Sequence, residues 1–281
     1  MAPILRLVNM YLDRLLKNTD DFYRQTLATL LAERLVGTTD RILVVCGGQH
    51  DRDVLHRLGF TRVTLSNLDT RMEADAFAPF EWSFQDAEKL EFADQAFDFC
   101  LEHSGLHHCY SPHRALLEMY RVSRRGILLF EPYDNLATRL GLALNLGQEF
   151  EHAAVFYNNL VFGGVRNTAI PNYIYRWTKR EIIKTITCVG PHGQPGFRFF
   201  HQLRVPWAQL KGRKNPLFLW SVILAWPLLK LFSLSFPAQS NGFAAFIQKP
   251  SLPRDLYPWL SLDGQQQVAL NHSWLNQRYR R

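Results

Sequence analysis

The sequence predicts an α/β fold: a doubly wound, mostly parallel, seven-stranded sheet with helices at the N-terminus and a hydrophobic helical insert before the last strand. Three observations carry that expectation. Short apolar runs rich in β-branched residues alternate with amphipathic stretches from position 41 to position 131. The first of them, RILVVCGGQHDRDVLHRLGFTRVTLSNLD from Arg41 to Asp69, reads as strand, glycine turn, helix, strand and acid. Two further strand-like runs, at 197–205 and 242–248, bracket an apolar segment.

The elements follow in order. Residues 4–16 and 21–35 carry apolar side chains at helical spacing. Thr19 or Asp20 would cap the second of these helices and Gly37 would end it. Residues 42–45 form a short buried strand, all β-branched or leucine. Residues 51–58 read as a helix with Val54, Leu55 and Leu58 facing inward, stopped at Gly59. Strands are expected at 63–65, 81–85 and 97–102, a helix at 113–122, and a fifth strand at 127–130 behind Gly126. Residues 132–176 carry Gly, Asn and aromatic side chains without a period, where a substrate lid would fit. Residues 177–186 read as a helix opened by a capping box of Thr178 and Glu181.

The apolar segment 216–236, PLFLWSVILAWPLLKLFSLSF, approaches the ~20 residues that span a bilayer. Pro227 and Lys230 interrupt it, and a single crossing would part 242–248 from its own sheet. Two short helices split at Pro227 fit better, packed on the domain or in a dimer, or dipped into the headgroup region. The preceding KGRK at 211–214 would favour an anionic surface, which leaves peripheral membrane contact through 211–236 open beside packing on the domain or in a dimer. The chain divides into N-terminal helices (1–38), a main domain (39–250, with the lid at 132–176 and the insert at 206–240) and a polar tail (251–281).

With 47% hydrophobic and 20% charged residues in 281, the composition is that of a globular protein. Cys46, Cys100, Cys109 and Cys188 show no paired spacing, which suits reduced thiols and a cytoplasmic location. Arg6, Asp13 and Arg14 break the N-terminal apolar run, so it lacks the core of a signal peptide. The net charge of +7 is spread over clusters such as Arg121/Arg124/Arg125 and Arg278/Arg280/Arg281. Such scatter reads as solvated faces, and no nucleic-acid partner is expected.

The glycine turn is the first functional signal. A nucleotide-type cofactor needs backbone to approach closely after the first strand, which Gly47 and Gly48 allow. It needs a following helix with free amides, supplied by 51–58. It needs an acid for the ribose hydroxyls about 20 residues on, and Asp69 stands there. The turn Cys46-Gly47-Gly48-Gln49-His50 lacks the third glycine of a dinucleotide site, which disfavours an NAD-type oxidoreductase.

Residues 42–50 resemble the opening strand, VLDVGCGTG, of the class I S-adenosylmethionine (SAM)-dependent methyltransferases of the type 11 kind. The resemblance covers 41–131, with 177–249 a weaker continuation. It implies a Rossmann-like methyltransferase fold with SAM as cofactor. Val45, Cys46, Gly47 and Gly48 would form its turn, and Asp69, with Leu68 beside it, would hold the ribose. Asp86 and Ala87 would meet the adenine, and Glu102 and His103 would reach the cofactor from the fourth strand. Leu106-His107-His108 and Gly126-Ile127-Leu128 resemble further landmarks. The family's strand acid is replaced by Val44, and two of its glycines by Cys46 and His50.

Methyl transfer is an in-line displacement, and positioning supplies most of its rate. An oxygen acceptor also needs its proton removed, a role that suits His107 or His103 unless these histidines only shape the loop. The set His103, His107, Cys109 and His113 does not match a standard zinc spacing, so no metal is expected. Glu102-His103-Ser104-Gly105 stands where amino-methylating enzymes carry Asn/Asp-Pro-Pro-aromatic. The expected activity is therefore methylation of a small or lipid-like acceptor at oxygen. A non-catalytic binding protein is the alternative that Val44 keeps open.

Overall fold

The computed structural model describes residues 21–203, 205 and 216–280. Its centre is β1 (Arg41–Val45), whose last four residues are all buried. β2 (Arg62–Asn67) pairs with one edge of β1 and β4 (Phe97–His103) with the other, both parallel. The full sheet has the order β3-β2-β1-β4-β5-β7-β6, with β3 (Glu81–Phe84), β5 (Ser123–Pro132), β6 (Gly196–Gln202) and β7 (Gly242–Gln248). Only β7 is reversed, running antiparallel to both β5 and β6. The fold class and all seven strands match the expectation from sequence.

Alternate side chains of the central strands enter two separate cores. Leu43, Val45, Cys100, Ile127 and Leu129 face one, and Ile42, Val44, Phe99, Leu101 and Leu128 face the other. A sheet covered on both faces needs apolar residues at successive positions, which is why these strands read as unbroken runs.

The helices that cover it are placed by their caps and apolar stripes. α1 (Asp21–Ala32) and α2 (Gln49–Arg57) close the second core with Tyr23, Leu27, Leu30, Val54 and Leu55. α3 (Pro112–Val122) starts where Ser111 accepts from the Arg114 amide and Pro112 fixes the first turn. It presses Leu116 and Met119 into the first core. α4 (Leu136–Ala143) and α5 (His152–Tyr157) lie in the lid. α6 (Lys179–Val189) opens on the expected capping box of Thr178 and Glu181. In the tail, β8 (Leu260–Leu262) and β9 (Val268–Leu270) form a small antiparallel hairpin after α7 (Pro216–Ser235), and α8 (His272–Tyr279) follows.

Two expectations are corrected. The helix expected over 21–35 ends at Ala32, because Arg34 adopts φ 57°, outside helical geometry. The insert is one helix carrying Pro227 inside it rather than two helices split there. A proline in a helix costs a hydrogen bond and kinks the axis, but the exposed side of this helix leaves room for that. Leu224, Leu228 and Leu234 are 77%, 71% and 70% exposed. No helix among the described residues is long and apolar enough to cross a membrane. The helix expected at 4–16, the caps at Thr19 and Asp20, and the KGRK run lie outside the described residues. The Arg121/Arg124/Arg125 cluster is tied up in ion pairs with Asp94 and Glu118, Asp98, and Asp40.

Candidate active site

The strand order turns back at β1, and ligands of open α/β sheets bind at the carboxyl ends of the strands at such a point. A cavity of about 310 Å³ lies there. Cys46 follows β1 into its wall, Leu68 and Asp69 follow β2, Asp86 and Ala87 follow β3, and Ser104 and Gly105 follow β4. The lid covers it with Ala154, Phe162, Gly164, Arg166 and Asn167. Five expected cofactor residues, Cys46, Leu68, Asp69, Asp86 and Ala87, therefore meet at one cavity. Val45, Gly47, Gly48, Glu102 and His103 are not part of its wall.

The turn itself is built around an unusual residue. Cys46 adopts φ 56°, the left-handed region that favours glycine, at the place of a glycine in the resembled motif. Its side chain is accommodated by the loop opposite: a Cβ on Gly105 would stand 2.3 Å from the Cys46 Cβ. The Gly47 amide donates to the Ser66 carbonyl at 2.8 Å, and Asn67 Nδ2 donates to the Gly47 carbonyl at 3.0 Å. Gly48 is extended, and a Cβ added to it would meet nothing nearer than the Asp51 carboxyl, at 4.0 Å. The protein itself therefore does not demand glycine there, whereas a ligand lying close against the backbone would.

An acid does reach the turn, from the first turn of α2. Asp51 is 5% exposed and its Oδ2 accepts from the Gly48 amide at 2.8 Å. Its Oδ1 faces His103 Nδ1 at 3.9 Å. Burial raises the Asp51 pKa against the pull of the Gly48 hydrogen bond. From the sequence, Asp51 reads only as the start of a helix. The available signal is an acid three residues after the second glycine, the distance at which a first-turn side chain folds back on the turn.

The two acids expected to hold the cofactor are already gripped. Asp69 accepts from the Arg71 amide at 2.9 Å and from Arg71 Nε and Nη2 at 2.8 and 2.6 Å. These bonds hold its carboxyl below the usual range, and the lid residue Asn167 adds to the effect. Phe162 of the lid lies 3.2 Å under the Arg71 guanidinium. Asp86 accepts from Arg166 Nη2 at 2.8 Å and from the Glu88 amide at 2.9 Å. Burial alone would raise Asp86, but the Arg166 bond and the other contacts outweigh it. Arg166 and Asn167 both adopt positive φ, 48° and 59°, at the tip of the lid.

A family model for the methyltransferase domain matches residues 43–130, the span from β1 to the end of β5 that builds this cavity. The chain carries a class I SAM-dependent methyltransferase domain. No curated protein matches the sequence. Among solved structures, a SAM-dependent methyltransferase from Thermotoga maritima is similar at 17% identity, covering 87% of this chain and 97% of that one, TM-score 0.46. One from Methanosarcina mazei is 15% identical over 78% of this chain and 96% of that one, TM-score 0.46. The magnesium protoporphyrin IX methyltransferase of Synechocystis, solved with SAH, is 13% identical over 83% and 86%, TM-score 0.47.

The methyltransferase's cofactor is SAM, which supplies an electrophilic methyl on a sulfonium sulfur. The residues present fit it. Asp69 and Asp86 stand on the cavity wall as acceptors, the space at Gly48 is open, and Asp51 brings a buried carboxyl to the turn.

Below this site, two glutamates on neighbouring strands hold the methyltransferase's histidine loop. Glu102 is fully buried, and its Oε1 accepts from the Gly105 and Leu106 amides. Glu131 Oε1 also accepts from the Leu106 amide, at 3.0 Å, and its Oε2 lies 2.9 Å from His107 Nδ1. Burial first, and the Glu131 charge second, push the Glu102 carboxyl well above its ordinary 4.5. A carboxyl whose pKa is raised in the fold keeps a proton that the unfolded chain loses, so it costs stability as pH rises above 4.5. Glu102→Gln keeps the acceptor oxygen and removes that cost. Its melting temperature is expected to exceed wild type by more at pH 8 than at pH 5, and a pH-independent difference would contradict the shift.

The histidines separate by role. His103 stacks on Tyr23, ring centroids 4.5 Å apart, and its Nδ1 lies 3.9 Å from Asp51 Oδ1. His107 is buried between Glu131 and Glu151. Burial alone would lower it, but the Glu131 charge and the bonds to both glutamates push it up to about 10. His108, rather than either expected base, lines the cavity. His113 bonds Glu181, so the set His103, His107, Cys109 and His113 is not drawn into one cluster.

Proposed function

We propose that the chain transfers the methyl group of SAM to an oxygen of a small, lipid-like acceptor at a membrane surface. The observation that supports it most is the link between the lid and the exposed apolar helix. Asn135, at the start of α4, donates to the carbonyls of Ala238 and Ser240, and Gln239 accepts from the Ala137 amide. Those partners directly follow α7, so the lid root and the apolar helix are fastened together. Both present bare apolar side chains: Leu136, Leu140 and Leu144 on the lid, and Leu224, Leu228 and Leu231 on α7. Apolar surface of this extent marks an interaction site, and an acceptor with an acyl or isoprenoid part would satisfy it. His108, the histidine on the cavity wall, supplies a group for handling an acceptor hydroxyl there.

The test uses methyl-labelled SAM with the purified protein and a whole-cell extract split into organic and aqueous phases. Label is expected in an organic-phase molecule, in an ether or ester bond. Label confined to protein or nucleic acid, or none at all, overturns the reading. Asp69→Ala should weaken SAM binding by about 1–3 kcal/mol, roughly 5- to 150-fold, because ribose hydroxyls lose their acceptor. Calorimetry reads this directly, and unchanged affinity would mean that Asp69 does not hold the ribose.

A further inference from the structure

We propose a divalent metal site formed by His107 Nε2, His108 Nε2 and Glu151 Oε2, next to the cavity. It goes beyond the methyl-transfer reading and stands on geometry alone. The three side chains offer donor atoms within 4.8 Å of one another. His107 Nε2 and His108 Nε2 lie 3.3 and 3.4 Å from the same glutamate oxygen. Charge-assisted hydrogen bonds are shorter, ~2.7–2.9 Å. Ligands at ~2.0–2.1 Å from one tetrahedral ion stand roughly 3.4 Å from each other, the spacing of each histidine nitrogen from the Glu151 oxygen.

The second observation is what holds the rings. Each histidine has its other nitrogen engaged: His107 Nδ1 with Glu131 Oε2 at 2.9 Å, and His108 Nδ1 with the Gly164 carbonyl at 3.2 Å. A carboxylate or carbonyl on the far nitrogen is the arrangement that orients metal-bound imidazoles and fixes their tautomer. Asn172 Nδ2 donates to the Glu151 carboxyl and to the His107 carbonyl, steadying the third arm. Two imidazoles and one carboxylate suit zinc, iron(II) or a similar first-row ion and leave coordination positions open. His108 and Glu151 are 26% and 27% exposed, so those positions are within reach of solvent or an acceptor oxygen. The site escapes the sequence because its ligands join a pair at 107–108 to a glutamate more than forty residues on, in the lid.

Chelator-treated protein titrated with Zn²⁺ in a calorimeter, with metal content measured after desalting, tests it. One ion per chain is expected, and His108→Ala and Glu151→Gln should each lower affinity at least 100-fold. Their circular dichroism and melting temperature check that the variants fold. If they do not fold, the visible spectrum of Co²⁺ bound to wild type decides: a four- or five-coordinate nitrogen–oxygen site is expected, without intense thiolate bands. No stoichiometric binding, unchanged affinity in Glu151→Gln, or binding lost instead in Cys109→Ser overturns the proposal. None of these readouts uses methyl transfer, so the metal site and the proposed activity can fail separately.

Discussion

Gly105→Ala is expected to lower stability by about 1–3 kcal/mol and SAM affinity at least tenfold. The new methyl would lie 2.3 Å from the Cys46 Cβ and 3.2 Å from its sulfur, and a Cβ cannot swing away as the end of a long chain can. Either the 104–107 loop lifts, pulling the Gly105 and Leu106 amides off Glu102, or the turn after β1 moves and distorts the cofactor wall. The same geometry predicts the cure. Cys46→Gly removes the obstructing side chain and places glycine where φ is 56°. The double variant should therefore recover most of the loss, with a coupling of about 1 kcal/mol or more in a double-mutant cycle read by chemical denaturation. Simple additivity would show that the two residues do not share the space.

Glu131→Ala is expected to be the most damaging single truncation, at about 3–5 kcal/mol by urea unfolding. It removes the acceptor of the Leu106 amide and the partner of His107 Nδ1 together. His107 is 5% exposed and, against the pull of burial, owes its raised pKa first to Glu131, so the change leaves a buried imidazole that has lost its main stabilising partner and keeps only Glu151. Glu131→Gln still accepts from the Leu106 amide and should cost clearly less. Both variants lose the charge, so equal losses would mean that the acceptor oxygen at position 131 contributes nothing to the Leu106 and His107 contacts.

The strands are legible because a sheet buried on both faces writes itself as contiguous apolar runs, and Gly242–Gln248 reads to the residue. The expected acids Asp69 and Asp86 reach the cavity because each follows a strand at the same edge of the sheet. The roles of Asp51, His108 and Glu151 are not legible in the same way. Asp51 acts by folding back onto its own turn. Glu151 meets His107 and His108 only through the folding of the 132–176 segment onto the loop after β4, which spacing along the chain does not encode. Pro227 misleads for the opposite reason: a local rule for breaking helices gives way on a helix with an open side.

The lid tip places Arg166 on Asp86 and Asn167 beside Asp69, in left-handed backbone geometry that residues other than glycine seldom adopt. Those two side chains behave as an internal competitor for the carboxylates a nucleoside would claim. A ligand that claims the same carboxylates is therefore expected to bind with an affinity set by the difference between its contacts and those it displaces.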